Sequence, residues 1–135
     1  MDISIYFQPV KKKEFAKNTL GYITDFHTEN NFPDWAECEI AIIGVNEDRG
    51  AVSNRGCGKA PDVIRRGLYP LFHHNKVLKI CDLGNISAGS TLEDTYHAVS
   101  DVVQNLIKKN VFVVILGGSQ DLTYANYKAY EKLEQ

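Results

Sequence analysis

The strongest constraint on this chain is the alternation of short apolar runs with segments whose apolar residues recur at helical spacing. CEIAIIGV (38–45), VLKICDLG (77–84) and VFVVIL (111–116) are rich in branched side chains and end in loops, as buried parallel strands do. After the first run, Pro61 suits a first helical turn, and Val63, Ile64, Leu68 and Leu71 share one face. After the second, Ser90 and Glu93 are spaced as a capping box ahead of Val99, Val102, Val103, Leu106 and Ile107, with Asn110 as a stop. After the third, Asp121 is placed to cap a helix carrying Leu122, Ala125, Ala129 and Leu133. Strands separated by helices imply right-handed βαβ units, hence a mostly parallel sheet covered on both faces: a three-layer α/β/α fold.

A length of 135 residues is one ordinary domain, so residues 1–135 are read as a single α/β domain with residues 1–37 as a peripheral amino-terminal segment. Fifteen basic and seventeen acidic residues, interspersed, give a net charge of -2 and no footprint for nucleic acid or an anionic membrane. Lys11-Lys12-Lys13 reads as a solvated face. The longest apolar run, 111–116, is far too short to span a bilayer, and the amino terminus lacks the order of a signal peptide. Three widely spaced cysteines without a CxxC pair fit reduced thiols and a cytoplasmic setting, with Cys38 and Cys81 in the core and Cys57 in an exposed loop.

Ligands of parallel sheets bind beyond the carboxyl ends of the strands. That rule selects the loops 46–59, 85–90 and 117–120. Asp48 and Arg49 are placed either to meet a substrate carboxylate or to pair and order their own long loop. Asn85, following Asp82 and Gly84, is a candidate for lining the cleft, although it also suits a turn. Ser119 and Asp121 flank Gln120 behind a glycine pair, and Asp121 is read first as a helix cap. His73 and His74 follow a helix end and are not read as ligands.

GVNEDRGAVSNRGCGKAPDVIR, CDLGNI and LGGSQDLTYAN, in this order and at these separations, resemble the amino-terminal part of the ureohydrolase family of arginases, agmatinases and formiminoglutamases. The likeness extends roughly from Ile40 to Tyr127, and its last motif is most similar to the formiminoglutamase-like branch. The resemblance implies an arginase-like fold and a pair of manganese ions that activate a bridging water against a guanidinium or formimino carbon. It also implies a small-molecule amidine substrate, arginine, agmatine or formiminoglutamate, and a homo-oligomer.

Two departures qualify what it implies. Gln120 stands where the family's first metal-binding histidine follows the glycine pair, and a neutral amide oxygen is a much weaker donor than imidazole. The family's other ligand motifs, DxHxD-like and DxD-like, have no counterpart here, and its chains are twice this length or more. The expectation is therefore an amino-terminal fragment, inactive alone and holding no catalytic residue of its own. Gln120 is the one candidate metal position, and Asp48, Arg49, Asn85, Ser119 and Asp121 are candidates for lining the cleft. The alternative is a non-catalytic descendant that has lost its metal and serves in binding or assembly.

Overall fold

The structure, a computed structural model, describes residues 2–74 and 78–133. Its elements in chain order are β1 (Phe7–Gln8), the single-turn α1 (Leu20–Ile23), β2 (Thr24–Phe26), β3 (Ile40–Asn46), α2 (Ala60–Leu68), β4 (Ile80–Ser87), α3 (Leu92–Lys108), β5 (Phe112–Leu116) and α4 (Leu122–Glu131). β3 lies between β4 and β5 and is parallel to both, with Ile40 opposite Ile80 on one side and Phe112 on the other. The outer edge of β4 is shared by β2, parallel beside its first half, and β1, antiparallel beside its second. Residues 1–37 thus supply the strands of that edge, and they also send Ile3 and Phe7 into the core.

Alternation along the strands sends side chains to two cores. Ala41, Ile43 and Val45 of β3 and Cys81, Leu83 and Ile86 of β4 meet Val99, Val102, Val103 and Leu106 of α3 and Leu122, Ala125 and Ala129 of α4. Ile42, Ile80 and Leu116 point the other way, to Tyr69 and, from the amino-terminal segment, Phe15 and Phe26. The strand order reverses direction at β3, and right-handed crossovers then require α2 and α3 to lie on opposite faces. The result is the α/β/α architecture expected.

β4 starts at Ile80 and runs to Ser87, so Asn85 lies in a strand and not in a loop; Val77, where the expected strand began, is outside the described residues. Its pairing with β3 gains a residue between the Ile42–Asp82 and Gly44–Asn85 partners. This bulge contains Gly84 at φ 91°, and a Cβ there would overlap the carbonyl of Gln8 in β1.

The helices depart from the periodicity in three places. α2 buries Pro61, Arg65 and the neighbouring Tyr69, while Val63 is 55% and Leu71 56% exposed and Ile64 is also exposed. The reason is Asp82, a carboxylate inside β4 whose partners must come from α2. The capping box of α3 is Thr91 with Asp94, one residue later than Ser90 and Glu93. Asp121 occupies the N-cap position of α4, but its backbone is helical and its side chain makes no capping bond; it accepts the hydroxyl of Tyr96 instead. Asn110 ends α3 with φ 59°, as its stop signal predicted.

Candidate functional site at the carboxyl ends of β3 and β5

β3 continues into α2 on one face of the sheet and β5 into α4 on the other, so the two connections diverge. Such a switch point opens a crevice beyond the strand ends. All three loops selected from the sequence converge here on Glu47, the residue just past β3. Its carboxylate is 1% exposed and takes 2.6 Å and 3.0 Å bonds from the Arg49 guanidinium. It also accepts the backbone N–H groups of Asp48 and Arg49 at 3.1 Å and the hydroxyl of Thr95 at 2.8 Å.

The second loop is tied in through the same pair. Arg49 donates to the carbonyls of Gly89, Ser90 and Thr91 at 2.7, 3.1 and 3.2 Å, and Thr95 accepts the N–H of Gly89. The third loop attaches by backbone, with Ser119 N–H on the Glu47 carbonyl and Gly118 N–H on that of Cys57. Gly117 and Gly118 have φ of 67° and 80°, and side chains there would overlap Pro61 and Leu122. Burial works to raise the Glu47 pKa, but the hydrogen bonds and charge of Arg49 and the Thr95 hydroxyl outweigh it and hold the carboxyl at about 2.

Asp48 and Arg49 do not pair with each other. Asp48 turns inward on its loop and accepts the N–H groups of Gly56 and Gly58 at 2.8 and 3.1 Å. Arg49, 41% exposed, serves Glu47 and the second loop. The Ser119 hydroxyl is buried with no hydrogen-bond partner among the described residues, as is one oxygen of Asp121. The other oxygen of Asp121 packs where a Cβ on Gly50 would lie, and its bond from Tyr96, after desolvation, helps push that phenol up to about 12. Gln120 is exposed, and among the described residues its side chain meets no partner.

Asn85 belongs to a second polar cluster beneath the cleft. Arg65 donates Nε and Nη2 to Asp82 at 2.8 and 2.9 Å, Nη1 to Asn85 and Asp62, and Nη2 also to the carbonyl of Gly84. Tyr69 donates its hydroxyl to Asp82. Burial would lower the Arg65 pKa, but Asp82 overrides it; the Tyr69 phenol is pushed far up, first by burial and then by Asp82. A cleft of about 1050 Å³ opens beside this cluster between residues 9–15, β2 and α2.

Sequence reasoning missed Glu47, Arg65, Asp82 and Tyr96. A signal existed for one of them: a carboxylate within the apolar run ICDLG cannot be buried without a cation. Cys81 is buried, as expected; Cys38, expected in the core, is only half-buried at its margin, and Cys57, expected to be exposed, is half-buried at the start of a 3-10 turn.

The donor set does not fit a manganese pair. Among the described residues no three His, Cys, Asp or Glu side chains come together in a way that could hold a metal ion. The buried carboxylate of Glu47 and the half-buried one of Asp121 are turned to Arg49 and Tyr96.

The fold is an α/β/α arrangement in which three strand-end loops meet at the switch point of a mostly parallel sheet. The profile of the arginase family matches residues 38–135, and the chain belongs to that family. It is 31% identical over 101 residues to the formimidoylglutamase of Macrococcus caseolyticus, an alignment of 70% of this chain and 32% of the relative. With the formimidoylglutamase of Enterobacter sp. it shares 30% over 115 residues, 82% of this chain and 36% of the relative. The crystal structure of Trypanosoma cruzi formiminoglutamase with Mn2+ superposes with a TM-score of 0.64 at 28% identity, covering 70% of this chain and 35% of that one. The oxidized form of that protein with Mn2+ at pH 6.0 gives 0.68 at 26%, covering 84% and 40%. The chain thus spans about a third of the length of the curated relatives it matches.

Proposed function

We propose that this chain is the amino-terminal portion of a metal-dependent hydrolase that cleaves a C–N bond of a linear amidine or guanidino compound, formiminoglutamate before arginine or agmatine. The observation that carries the reading is the convergence of the three strand-end loops on the Glu47–Arg49 pair at the switch point. Likeness to formimidoylglutamases supports the choice among substrates. In this reading the 135 residues build one wall of the cleft, with Asp48, Arg49, Asn85, Ser119 and Asp121 around it. Manganese ligands come mainly from polypeptide outside this chain, Gln120 offers at most an amide oxygen, and the chain alone hydrolyses nothing. The setting proposed is cytoplasmic, consistent with three unpaired cysteines. Among the described residues no helix is long and apolar enough to cross a membrane.

The test is a chimera joining residues 1–135 to the carboxy-terminal two-thirds of the Macrococcus caseolyticus formimidoylglutamase, assayed with Mn2+ for loss of formiminoglutamate, arginine and agmatine. Activity on one of them, absent from either part alone, is expected. A folded chimera that binds manganese by calorimetry but turns over none of the three rejects the reading. The exposed, unpartnered Gln120 favours one alternative, a non-catalytic descendant of the fold serving in binding or assembly. A folded chimera that takes up no manganese, even with Gln120→His, would establish it.

A further inference from the structure

Two of the three cysteines meet in the fold. Cys38 closes the 3-10 turn Trp35–Glu37 just before β3, and Cys81 is the second residue of β4, paired with Ala41 of β3. Cys81 is fully buried in the core that packs on α3, and Cys38 is half-buried against the same cluster. The two side chains are hydrogen-bonded, Cys81 donating to the Cys38 sulfur, and the Cys38 thiol donates in turn to the carbonyl of Asp34 at 3.6 Å.

A small oxidant can reach one member of this pair and not the other. Cys38 lines a surface pocket of about 460 Å³ together with Tyr22, Asp34, Glu37 and Lys79, while Cys81 lies behind it. An outer thiol with a second thiol in contact behind it is the arrangement in which oxidation of the first is resolved as a disulfide. Cys57 lies past the other end of β3, in the loop that leads to α2.

Burial pushes both thiols up, and the bond to Cys38 pushes Cys81 further. Few thiolates are therefore present at neutral pH, so the pair reacts slowly and responds to sustained oxidant.

We infer that Cys38 and Cys81 are a modification site for a hydroperoxide, which converts them into an intramolecular disulfide joining the entries of β3 and β4. The Cys38 sulfur gives up its proton and attacks one peroxide oxygen; the O–O bond breaks, water leaves, and Cys38 is oxidised to the sulfenic acid as the peroxide is reduced. The Cys81 sulfur then attacks the Cys38 sulfur, the S–O bond breaks, and the departing hydroxide takes the Cys81 proton to become a second water. Two thiols and one peroxide thus yield one disulfide and two waters. The new bond closes a loop that contains residues 46–59 and α2, and so restricts the unfolded chain. The site stands apart from the Glu47 crevice, at the other end of β3, and from the hydrolase reading.

The test exposes the folded 135-residue chain, verified by circular dichroism, to excess hydrogen peroxide, quenches it with N-ethylmaleimide and maps it by mass spectrometry. Free thiols should fall from three to one, with Cys38 linked to Cys81, Cys57 alkylated and full reversal by dithiothreitol. The oxidised chain should melt several degrees above the reduced one. In Cys81→Ala, Cys38 should stop at the sulfenic acid and be trapped by dimedone. Because Cys81 belongs to the core, Cys38→Ser at a half-buried position provides a second variant, in which both remaining thiols should survive the same treatment. Retention of all three thiols in the folded chain overturns the proposal, as does a disulfide that includes Cys57 or one that forms only in urea.

Discussion

Asp82 and Asn85 lie on the same face of β4 although they are three residues apart, and both bind Arg65. In a regular strand their side chains would point to opposite faces. The extra residue at Leu83 and Gly84 resets the alternation, so one arginine of α2 ties together both halves of β4.

Removing one partner of this cluster should be costly. Arg65→Met or Asp82→Asn leaves an unmatched group in the core and should lower unfolding free energy by about 3–5 kcal/mol in urea titration. The double variant Arg65→Met with Asp82→Leu should cost at least about 1 kcal/mol less than the sum of the single effects. Strict additivity would show that the pair does not interact.

Gly84 and Gly67 should respond in opposite directions to alanine. At Gly84 the positive φ and the Gln8 carbonyl leave no room for a Cβ, and Gly84→Ala should cost about 1–3 kcal/mol while speeding hydrogen exchange in β1. Gly67 lies in α2 with open space around it, so Gly67→Ala should stabilise by about 0.4–1 kcal/mol. Thermal melts of the two variants should bracket the parent.

The Glu47 hub predicts an acid limb in the stability profile. Its folded pKa, about 2, lies below the ordinary 4.5, so folding favours the ionised carboxylate. Its contribution is therefore complete above about pH 4.5 and is lost as pH falls toward 2. Glu47→Gln should cost about 1–3 kcal/mol at pH 7, and its deficit should shrink across that window. A deficit independent of pH would exclude charge as its origin.

Gln120→His should leave stability within about 0.5 kcal/mol, since the side chain is exposed and no described partner is lost. Calorimetry with Mn2+ should show no saturable binding by the 135-residue chain in either form. Tight binding by the variant would mean that a ligand set assembles within these residues.

The sequence by itself determined the architecture. Runs such as IAIIGV and FVVIL, short and rich in branched apolar residues, suit strands of a sheet, and the stripe of α3 from Val99 to Leu106 must be buried against it. It also located the three loops, because a parallel sheet places its connections at the strand ends whatever their chemistry. Tertiary structure alone decided which side chains meet. Asp48 and Arg49 are neighbours in the chain, yet they take different partners: the buried Glu47 carboxylate holds the Arg49 guanidinium, and the N–H groups of Gly56 and Gly58 hold Asp48. α2 buries Arg65 in place of Val63 and Ile64 because a buried carboxylate on β4 outweighs the helix's own apolar stripe. Periodicity records which residues avoid water, but the pairing of charges depends on distances between segments that only the folded chain sets.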